Sequence, residues 1–327
     1  MKLLVTGGAG FIGSNLLHYW SLKYPGDSIV CLDKLTYAGH IESIRPLIDQ
    51  GKVEFRKGDI CSREDVAAAL KDADTVIHLA AESHVDRSID APDDFIRTNV
   101  NGTLTMLEAA RKFDVGRFHH VSTDEVFGSL PLNSATKFTE KTCYNPRSPY
   151  AASKASSDHL VRAYAETFGL KATISNCGNN FGPFQHPEKI IPRFITMLLA
   201  GKKVPVYGDG LNVRDWIHVS DHCSAIDAIV RKGKEGGTYL VSGRNELSNI
   251  ELTRKLLSIM GYGEDRIEYI RDRPGHDRRY ALDDTKLRKE LGWKPSLTFD
   301  QALSETVKWY VGNSWWWKPL GDAYSFV

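Results

Sequence analysis

Short runs of apolar residues alternate with longer amphipathic stretches through the first half of the chain. The short runs are rich in Val, Ile and Leu and are too short for ordinary helices. They predict strands over Lys2–Thr6, Ser28–Leu32, Val53–Arg56, Thr75–Leu79, Arg117–Val121 and Ala172–Asn176. The stretches between them predict helices over Ile12–Tyr24, Arg63–Leu70, Pro92–Lys112 and Pro149–Phe168. Such alternation is typical of a parallel sheet with helices on both faces.

The alternation breaks after residue 180, where prolines and glycines mark long connections. Helical patterns remain over Ile190–Leu199, Val219–Arg231, Asn249–Met260, Asp284–Leu291 and Thr298–Tyr310, and Thr238–Val241 predicts a strand that could rejoin the main sheet. We therefore expect an α/β fold: a doubly wound (Rossmann) parallel sheet with a second, smaller α/β substrate-binding lobe. The expected boundaries are 1–175, rejoined by about 212–243, and 176–327.

Composition and charge exclude several classes of function. The chain has 327 residues, of which 42% are hydrophobic and 25% charged, and its net charge is +1, so we expect neither a nucleic-acid nor a membrane partner. No apolar run approaches the roughly 20 residues of a membrane span, and the first strand begins without a signal peptide. The five cysteines are scattered without a C-x-x-C pair, which favours free thiols in the cytoplasm and no metal site.

Glycines at positions 7, 10 and 13 follow the first strand and open the first helix. Glycine spacing alone is equally typical of a structural turn. In this context, however, the glycines allow the backbone to approach a pyrophosphate closely, and the helix N-terminus offers N–H groups and a positive dipole. The sequence therefore predicts a dinucleotide cofactor at Gly7, Gly10 and Gly13.

Asp33 lies at the end of the second predicted strand, twenty residues beyond Gly13. A carboxylate there accepts hydrogen bonds from the adenosine ribose and repels a 2′-phosphate, so NAD is favoured, although Lys34 leaves NADP open. Asp59 and Ile60 are expected beside the adenine; the alternative for Asp59 is a helix-capping acid. The small residues of Leu79–Ala81 would let the cofactor pass close to the backbone.

Tyr150 and Lys154 form a Tyr-x-x-x-Lys pattern at a helix start that Ser148 and Pro149 mark. Residues four apart share a helix face, so both side chains can reach one site. A nearby ammonium and an oxidised nicotinamide ring would favour the Tyr150 phenolate as a base for an alcohol proton. The pattern occurs often by accident, but the upstream glycine loop and Thr123 at a strand end predict a Thr/Tyr/Lys hydride-transfer set.

These residues resemble the extended branch of the short-chain dehydrogenase/reductase family. Within it, the chain is similar along its whole length to the dTDP-glucose 4,6-dehydratase family through long motifs: D-K-L-T-Y-A-G (33–39), A-A-E-S-H-V-D-R-S-I (80–89), T-D-E-V-F-G (123–128), Y-A-A-S-K-A-S-S-D-H-L-V-R (150–162), N-N-F-G-P-F-Q-H-P-E-K-I-I-P (179–192), R-D-W-I-H-V (214–219) and D-R-P-G-H-D-R-R-Y (272–280). Phe127 departs from the Tyr of many relatives and is expected to be a packing residue. The resemblance implies a bound NAD held by Gly7, Gly10, Phe11, Ile12, Gly13, Asp33, Lys34, Leu35, Thr36, Asp59, Ile60, Leu79, Ala80, Ala81, Ser83, Thr98, Tyr150, Lys154 and Asn176.

The resemblance also gives a role to two neighbouring acids, Asp124 and Glu125, which the sequence alone would assign to a solvated turn. It implies transient oxidation at sugar C4 with Tyr150 as base and Thr123 on the C4 oxygen. Glu125 as base and Asp124 as acid would then eliminate water across C5 and C6. Because adjacent strand residues point to opposite faces, this interpretation requires a loop or bent strand end at 123–125.

Substrate contacts are likewise implied by the resemblance, on Ser83, Thr123, Asn176, Glu188, Lys189, Ile190, Pro205, Tyr207, Arg214, Asn249, Arg273 and His276. Arg214 and Arg273 would clamp the pyrophosphate, because guanidinium forks match phosphate oxygens. Pro205 and Tyr207 would line the thymine pocket, Glu188 would read the base edge, and Asn180 would bind cofactor or pyrophosphate. Without the motifs, a lone Arg is a surface charge and Ser83 a loop hydroxyl.

Partners and rival functions follow from the same resemblance. The helices over 92–112 and 150–168 imply a homodimer through a four-helix bundle. A 4,6-dehydratase for another nucleotide sugar, a 4-epimerase and a non-catalytic NAD-binding protein remain as alternatives; the acid pair argues against the epimerase, and Tyr150 with Lys154 against the binding protein. Trp315–Trp317 suggests either a membrane or carbohydrate patch or, as we prefer, a tail packed on the second lobe.

Overall fold

Twelve strands in three sheets form the framework of residues 1–272 and 275–320, the part of the chain that the computed structural model describes. The strands are β1 Lys2–Thr6, β2 Ser28–Asp33, β3 Glu54–Lys57, β4 Thr75–His78, β5 Arg117–Thr123, β6 Ala172–Cys177, β7 Asn179–Phe181, β8 Val204–Tyr207, β9 Val213–His218, β10 Thr238–Val241, β11 Glu246–Ser248 and β12 Ile267–Ile270. The predicted strands of the first half are confirmed to within two residues at each end.

The main sheet has seven parallel strands in the order β10-β6-β5-β4-β1-β2-β3. The chain winds outward from β1 to β3, then returns to β4 and winds the other way, so the direction reverses between β1 and β4. In doubly wound sheets, ligands bind at the carboxyl ends of the strands at this reversal. The predicted return of Thr238–Val241 to the main sheet is confirmed by its pairing with β6.

Thirteen α-helices accompany these strands in the described residues. They are α1 Phe11–Lys23, α2 Arg45–Asp49, α3 Arg63–Leu70, α4 Val85–Asp90, α5 Pro92–Phe95, α6 Thr103–Lys112, α7 Pro149–Phe168, α8 Ile190–Leu199, α9 Val219–Lys232, α10 Asn249–Met260, α11 Thr285–Leu291, α12 Phe299–Gly312 and α13 Ser314–Trp317. Helices α1 and α9 cover one face of the main sheet through buried residues such as Trp20 and Ile226. Helices α3, α6 and α7 cover the other, for example through Val66, Met106 and Val161.

The predicted single helix over Pro92–Lys112 is wrong in its middle, because a π-helical segment, Ile96–Gly102, separates α5 from α6. Within it Asn99 is buried and its side-chain amide bonds both backbone groups of Glu82 and the hydroxyl of Ser153, at 2.8–3.0 Å. The wider turn thus ties the segment to the loop after β4 and to α7. Thr98, which the same turn carries, lies in the wall of the cleft described below.

A separate core forms in the second half of the chain, where α8, α10 and α12 pack together. The small sheets β11-β9-β7 and β12-β8 flank it. The sequence analysis did not predict these five short strands, which lie in the part of the chain where prolines and glycines interrupt the pattern. The lobe boundary at residue 175 stays a prediction.

In the part of the chain that is described, no helix is long and apolar enough to span a membrane.

Candidate active site

A cleft of about 330 Å³ opens at the carboxyl ends of the main-sheet strands, at the winding reversal. Its wall includes the five predicted catalytic residues, Thr123, Asp124, Glu125, Tyr150 and Lys154. The remaining predicted cofactor residues that line it are Gly7, Gly10, Phe11, Ile12, Gly13, Asp33, Lys34, Thr36, Asp59, Ile60, Leu79, Ala80, Ala81, Ser83 and Thr98. Of the predicted cofactor set, only Leu35 and Asn176 are missing from this wall.

The glycine loop leaves no room for side chains. A Cβ at Gly7, whose φ is +71°, would lie 2.7 Å from the backbone nitrogen of Ala80, and a Cβ at Gly13 would lie 2.1 Å from the carbonyl oxygen of Gly7. Gly10 caps α1 without a side chain, so the first N–H groups of the helix face the cleft. This is a cradle that a pyrophosphate fits.

Asp33 is held at the cofactor cleft by the glycine loop itself. Its carboxylate accepts hydrogen bonds from the backbone N–H groups of Ala9, at 2.9 Å, and Leu35, at 2.8 Å, and burial raises its pKa. Leu35 has a φ of +57° and lies outside the cleft wall; its backbone N–H holds Asp33 in place. Lys34, which left NADP open, forms an ion pair with Asp59 at 2.8 Å. The adenosine end therefore favours a ribose without a 2′-phosphate.

The strand end that carries the two acids turns as the dehydratase hypothesis requires. Strand β5 stops at Thr123, and a 3₁₀ turn over Asp124–Phe127 begins there, with the Thr123 hydroxyl accepting the N–H of Glu125 at 3.3 Å. Both carboxylates consequently line one cleft. Gly128 follows at a φ of +83°, where a Cβ would meet the Asn145 carbonyl at 2.4 Å. Phe127 packs between Phe138 and Tyr144, each at a centroid distance of 5.1 Å, as expected of a packing residue.

Asp124 and Glu125 lie in different environments. Asp124 is 2% exposed, and burial, followed by the charges of Glu125 and Asp215, raises its pKa well above the usual range. Arg214 opposes this shift without cancelling it. One oxygen, Oδ2, has no hydrogen-bond partner among the described residues. The raised pKa of Asp124 favours the protonated form that a general acid requires, whereas Glu125 is half-buried at the cleft surface.

The Tyr150 phenol and the Lys154 ammonium are both buried. Burial, followed by the charges of Glu125 and Cys177, raises the pKa of Tyr150 well above its usual range, and a hydrogen bond with Thr123 opposes this shift. The Lys154 ammonium donates to the carbonyl of Val121 at 2.8 Å and lies 3.4 Å from Nε2 of His120. The activation of Tyr150 by Lys154 and an oxidised nicotinamide ring stays a prediction.

A buried polar network lies directly behind these residues and centres on Asp158, one turn after Lys154 on α7. The Asp158 carboxylate is fully buried and accepts hydrogen bonds from the hydroxyl groups of Ser122, at 3.0 Å, and Tyr144, at 2.7 Å, and from the amide of Asn176, at 3.0 Å. Nε2 of His120 lies 3.3 Å from its other oxygen. The sequence reading treated His120 as structural and did not single out Asp158.

Asn176, which was predicted to contact cofactor and substrate, lies outside the cleft wall. It is fully buried on β6, and its amide donates to Asp158 and, at 3.1 Å, to the carbonyl of Thr123. It therefore supports the catalytic strand end from behind rather than lining the cleft. Strand β7, the next along the chain, supplies Asn179 and Asn180 to the cleft wall instead.

The predicted nucleotide-binding residues fall into two groups. Ser83, Glu188 and Lys189 line the cleft, with the Lys189 ammonium 3.3 Å from the Ser83 carbonyl oxygen. The second group lies outside the cleft wall. It comprises Ile190, Pro205, Tyr207, Arg214, Asn249 and His276. Asn249 donates its N–H to the Asn212 carbonyl, and the Tyr207 and His276 rings lie 6.3 Å apart. Arg273 lies outside the described residues.

Several cleft residues escaped the sequence reading, namely Glu82, Ser122, Cys177, Gly178, Asn179, Gln185 and His186. Most of them belong to the motifs over 80–89 and 179–192, so the signal was present but gave no individual role. No group of three or more metal-ligating side chains occurs among the residues whose structure is described.

Comparison with known proteins gives the family. A family model described as GDP-mannose 4,6 dehydratase matches residues 4–306. A dTDP-glucose 4,6-dehydratase of Mycobacterium tuberculosis is 50% identical over 324 residues, which cover 99% of this chain and 97% of that protein. The crystal structure of DesIV, a dTDP-glucose 4,6-dehydratase from Streptomyces venezuelae with NAD and TYD bound, superposes with a TM-score of 0.95 at 47% identity and covers 98% of this chain and 100% of that one.

More distantly related structures share the fold at a lower sequence identity. The UDP-glucose 4-epimerase of Thermus thermophilus in complex with NAD has a TM-score of 0.88 at 30% identity, covering 96% of this chain and 100% of its own. The drop in identity separates the dehydratases from the epimerases. The chain belongs to the 4,6-dehydratase family of the extended short-chain dehydrogenases/reductases, and within it to the dTDP-glucose 4,6-dehydratases.

Proposed function

We propose that this protein converts dTDP-glucose to dTDP-4-keto-6-deoxyglucose by NAD-dependent dehydration, with no net oxidation. The observation that carries the proposal is the position of Asp124 and Glu125 in one cleft with Thr123 and Tyr150. Hydride transfer alone needs a hydroxyl and a base. An additional acid and base, of which burial raises the pKa of the acid, suit an elimination.

The glycine loop and Asp33 would hold NAD, whose nicotinamide ring can accept a hydride from the sugar and give it back. We propose that residues 1–175, with about 212–243, form the cofactor lobe and that the rest of 176–327 forms the nucleotide-sugar lobe. The division is supported by the cleft, whose wall draws mainly on the first lobe and on residues 177–189. Lys154, anchored by the Val121 carbonyl, would place its ammonium beside the cofactor.

The chain's own residues divide the proton chemistry. Tyr150 would remove the proton from the C4 hydroxyl while Thr123 holds the C4 oxygen. The resulting ketone makes the C5 hydrogen acidic, Glu125 would remove it, and Asp124 would protonate the leaving C6 hydroxyl. Water leaves, and the C5–C6 double bond would then be reduced by hydride at C6, supplied by the reduced cofactor, and by a proton at C5 from the same acid pair, so that no net oxidation results. Each transfer is of a kind that contributes about 10²–10⁴-fold to rate in enzymes.

The nucleotide would be held by the second lobe. Arg214 is 6% exposed, donates to the Val213 carbonyl and lies 4.3 Å from the Tyr280 ring centroid, so its guanidinium is already fixed in orientation. A preorganised guanidinium binds pyrophosphate at a smaller entropic cost. We propose that Tyr207 and Pro205 contact the base, that Asn249, Arg273 and His276 complete the nucleotide site, and that Ser83, Glu188, Lys189 and Ile190 lie where nucleotide and sugar meet.

The proposal predicts a product lighter than its substrate by one water. Purified protein incubated with dTDP-glucose and NAD should give dTDP-4-keto-6-deoxyglucose, detected by mass spectrometry, without net accumulation of reduced cofactor. UDP-, GDP- and CDP-glucose in parallel reactions report which base is accepted. Folded, NAD-loaded protein that leaves the mass of every nucleotide sugar unchanged would overturn the dehydratase assignment.

The same experiment tests the alternatives. A 4-epimerase would yield an isomer of unchanged mass that chromatography separates from the substrate, and a non-catalytic NAD-binding protein would yield no new compound. A dehydratase for another nucleotide sugar would release water from that sugar only.

A cytoplasmic location is supported by the five cysteines, none of which forms a disulfide.

We also propose that two copies of the chain associate through α6 and α7. Exposed apolar side chains gather on these helices and the π segment: Ile96 is 47%, Leu104 38% and Phe168 49% exposed. Helix α7 adds a stripe of exposed small residues, Ala152, Ser156 and Ala163, that allows close helix approach. Such a continuous apolar face is typical of an interface.

Light scattering should then give twice the 36.6 kDa of one chain. Ser156→Arg should reduce this mass to that of a monomer, because it places a charge in the middle of the stripe. Leu22→Arg, at a side chain that is 83% exposed on α1, should leave the dimer intact. A wild-type protein that is monomeric at micromolar concentration would contradict the proposal.

A further inference from the structure

The three tryptophans Trp315–Trp317 near the end of the chain have no part in the proposed chemistry. The preferred interpretation, a tail packed on the second lobe, is confirmed: Trp316 is 3% exposed within the core of α8, α10 and α12. Its ring meets Trp309 of α12 and Phe184 at centroid distances of 5.4 and 5.6 Å. Trp315, by contrast, is 57% exposed.

Trp316 also reaches the first lobe. Its indole N–H donates a hydrogen bond to the buried hydroxyl of Ser43 at 2.9 Å, and its ring packs edge-on against His40 at 5.6 Å. Ser43 and His40 lie 273 and 276 residues earlier in the chain, just after the loop that follows β2. One side chain therefore contacts both lobes.

The two segments that Trp316 joins each line the cofactor cleft. The first lobe contributes Lys34, Thr36, Ala38 and Gly39 to the wall, and the second contributes Gln185, His186, Glu188 and Lys189. His40 stacks on His186 across the junction, with ring centroids 5.6 Å apart and planes within 15°. Because Asp33 and Lys34 mark the adenosine end of the cleft, the junction lies at that end.

The second segment has further anchors that make it rigid. Asn15 of α1 donates to the Pro183 carbonyl at 2.8 Å, His18 stacks on Phe184 at 5.7 Å, and the hydroxyl of Tyr310 donates to the Gln185 carbonyl. Trp316 contacts Phe184 directly and also holds His40 and the Ser43 hydroxyl, while Nε2 of His18 lies 2.8 Å from the Ser43 carbonyl oxygen.

We propose that Trp316 is a positioning residue for the cofactor: a cross-lobe latch that holds the two edges of the NAD cleft together and slows NAD release. The latch acts through His40 and Phe184 on the segments that carry the cleft wall. Its contribution concerns how long NAD stays bound, not the proton transfers. It rests on the cofactor assignment, and the conversion of dTDP-glucose by wild-type protein tests that assignment separately.

The test measures NAD dissociation from the full chain by dilution into a scavenging NAD-consuming enzyme, and the NAD content after dialysis. Trp316→Ala should accelerate release by roughly tenfold or more. Ser43→Ala, which removes only the indole hydrogen bond, should give about a threefold to tenfold increase, the range of one ordinary hydrogen bond. Trp316→Phe also removes buried ring volume and should give at least that increase. The double variant should equal Trp316→Phe, because that change has already removed the bond.

Trp315→Ala is the matched control, since it removes a neighbouring indole whose N–H bonds only Asn313 of the same tail. It should release NAD at the wild-type rate. With saturating NAD, the turnover of Ser43→Ala and Trp316→Phe should return to the wild-type value. Wild-type release rates in folded Trp316→Phe and Ser43→Ala would overturn the proposal, as would a Trp315→Ala variant that releases NAD as fast as they do.

Discussion

Glu125→Gln is expected to stop the reaction after the first oxidation. Tyr150 and Thr123 remain in place, so the sugar C4 hydroxyl can still be oxidised, but no base removes the C5 proton. The change also removes a negative charge that raises the pKa of Tyr150, so the first proton transfer should not be impaired. Water loss should fall by about 10²–10⁴-fold, the usual contribution of a general base.

The measurement follows three signals from one sample: reduced-nicotinamide absorbance, mass loss from the sugar, and deuterium exchange at C5 in heavy water. The expected pattern is reduced cofactor without water loss or exchange. Tyr150→Phe is the matched control, because it lacks the base for the first step and should show none of the three signals. Unchanged water loss in Glu125→Gln would remove Glu125 from the mechanism.

Asp158→Asn is expected to lower activity at alkaline pH and to destabilise the fold. Burial lowers the pKa of Lys154 to about 8, and the Asp158 carboxylate is the main charge that opposes this shift. If activity requires the ammonium, it declines in the wild type as pH rises through about 8. Without the carboxylate the pKa of Lys154 falls further, so the alkaline limb of kcat should move to lower pH.

The same change removes the buried carboxylate that offsets the Lys154 ammonium, and losses of roughly 3–5 kcal/mol are usual when one partner of a buried charge pair is removed. Tyr144→Phe separates the two effects. It deletes one hydrogen bond to Asp158 but keeps the carboxylate, so stability should drop slightly while the pH profile stays fixed. An Asp158→Asn enzyme with a wild-type alkaline limb would show that Asp158 is structural only.

The buried network explains why some side chains could be predicted and others could not. Tyr150 and Lys154 are recognisable because their spacing on one helix brings them together without help from the rest of the fold. Asp158 continues that spacing by another four residues, but its role depends on Ser122, Tyr144 and Asn176, which come from other elements. These partners come together only once the chain has folded and the main sheet has formed.

Asn176 and Asn179 show the limit most clearly. Three residues apart in one motif region, they differ in whether the side chain enters the cleft, and the sequence reading chose the buried one. The difference arises because β6 ends at Cys177 in the main sheet, whereas Asn179 begins β7, which belongs to a different sheet. The π segment is a similar case, since Asn99 turns inward to partners on two distant segments.

Local physics in the sequence determined the parallel sheet, the glycine cradle, the acidic residue that ends the second strand and the hydroxyl–tyrosine–lysine set, because each depends on periodicity or spacing within one element. Recognition of the long motifs added the acid pair. Only the tertiary structure decided that the strand turns at Thr123 so that both acids line one cleft, that burial raises the pKa of Asp124, and that Trp316 reaches Ser43. Those properties come from burial and from contacts between residues distant in sequence, which exist only once the chain has folded.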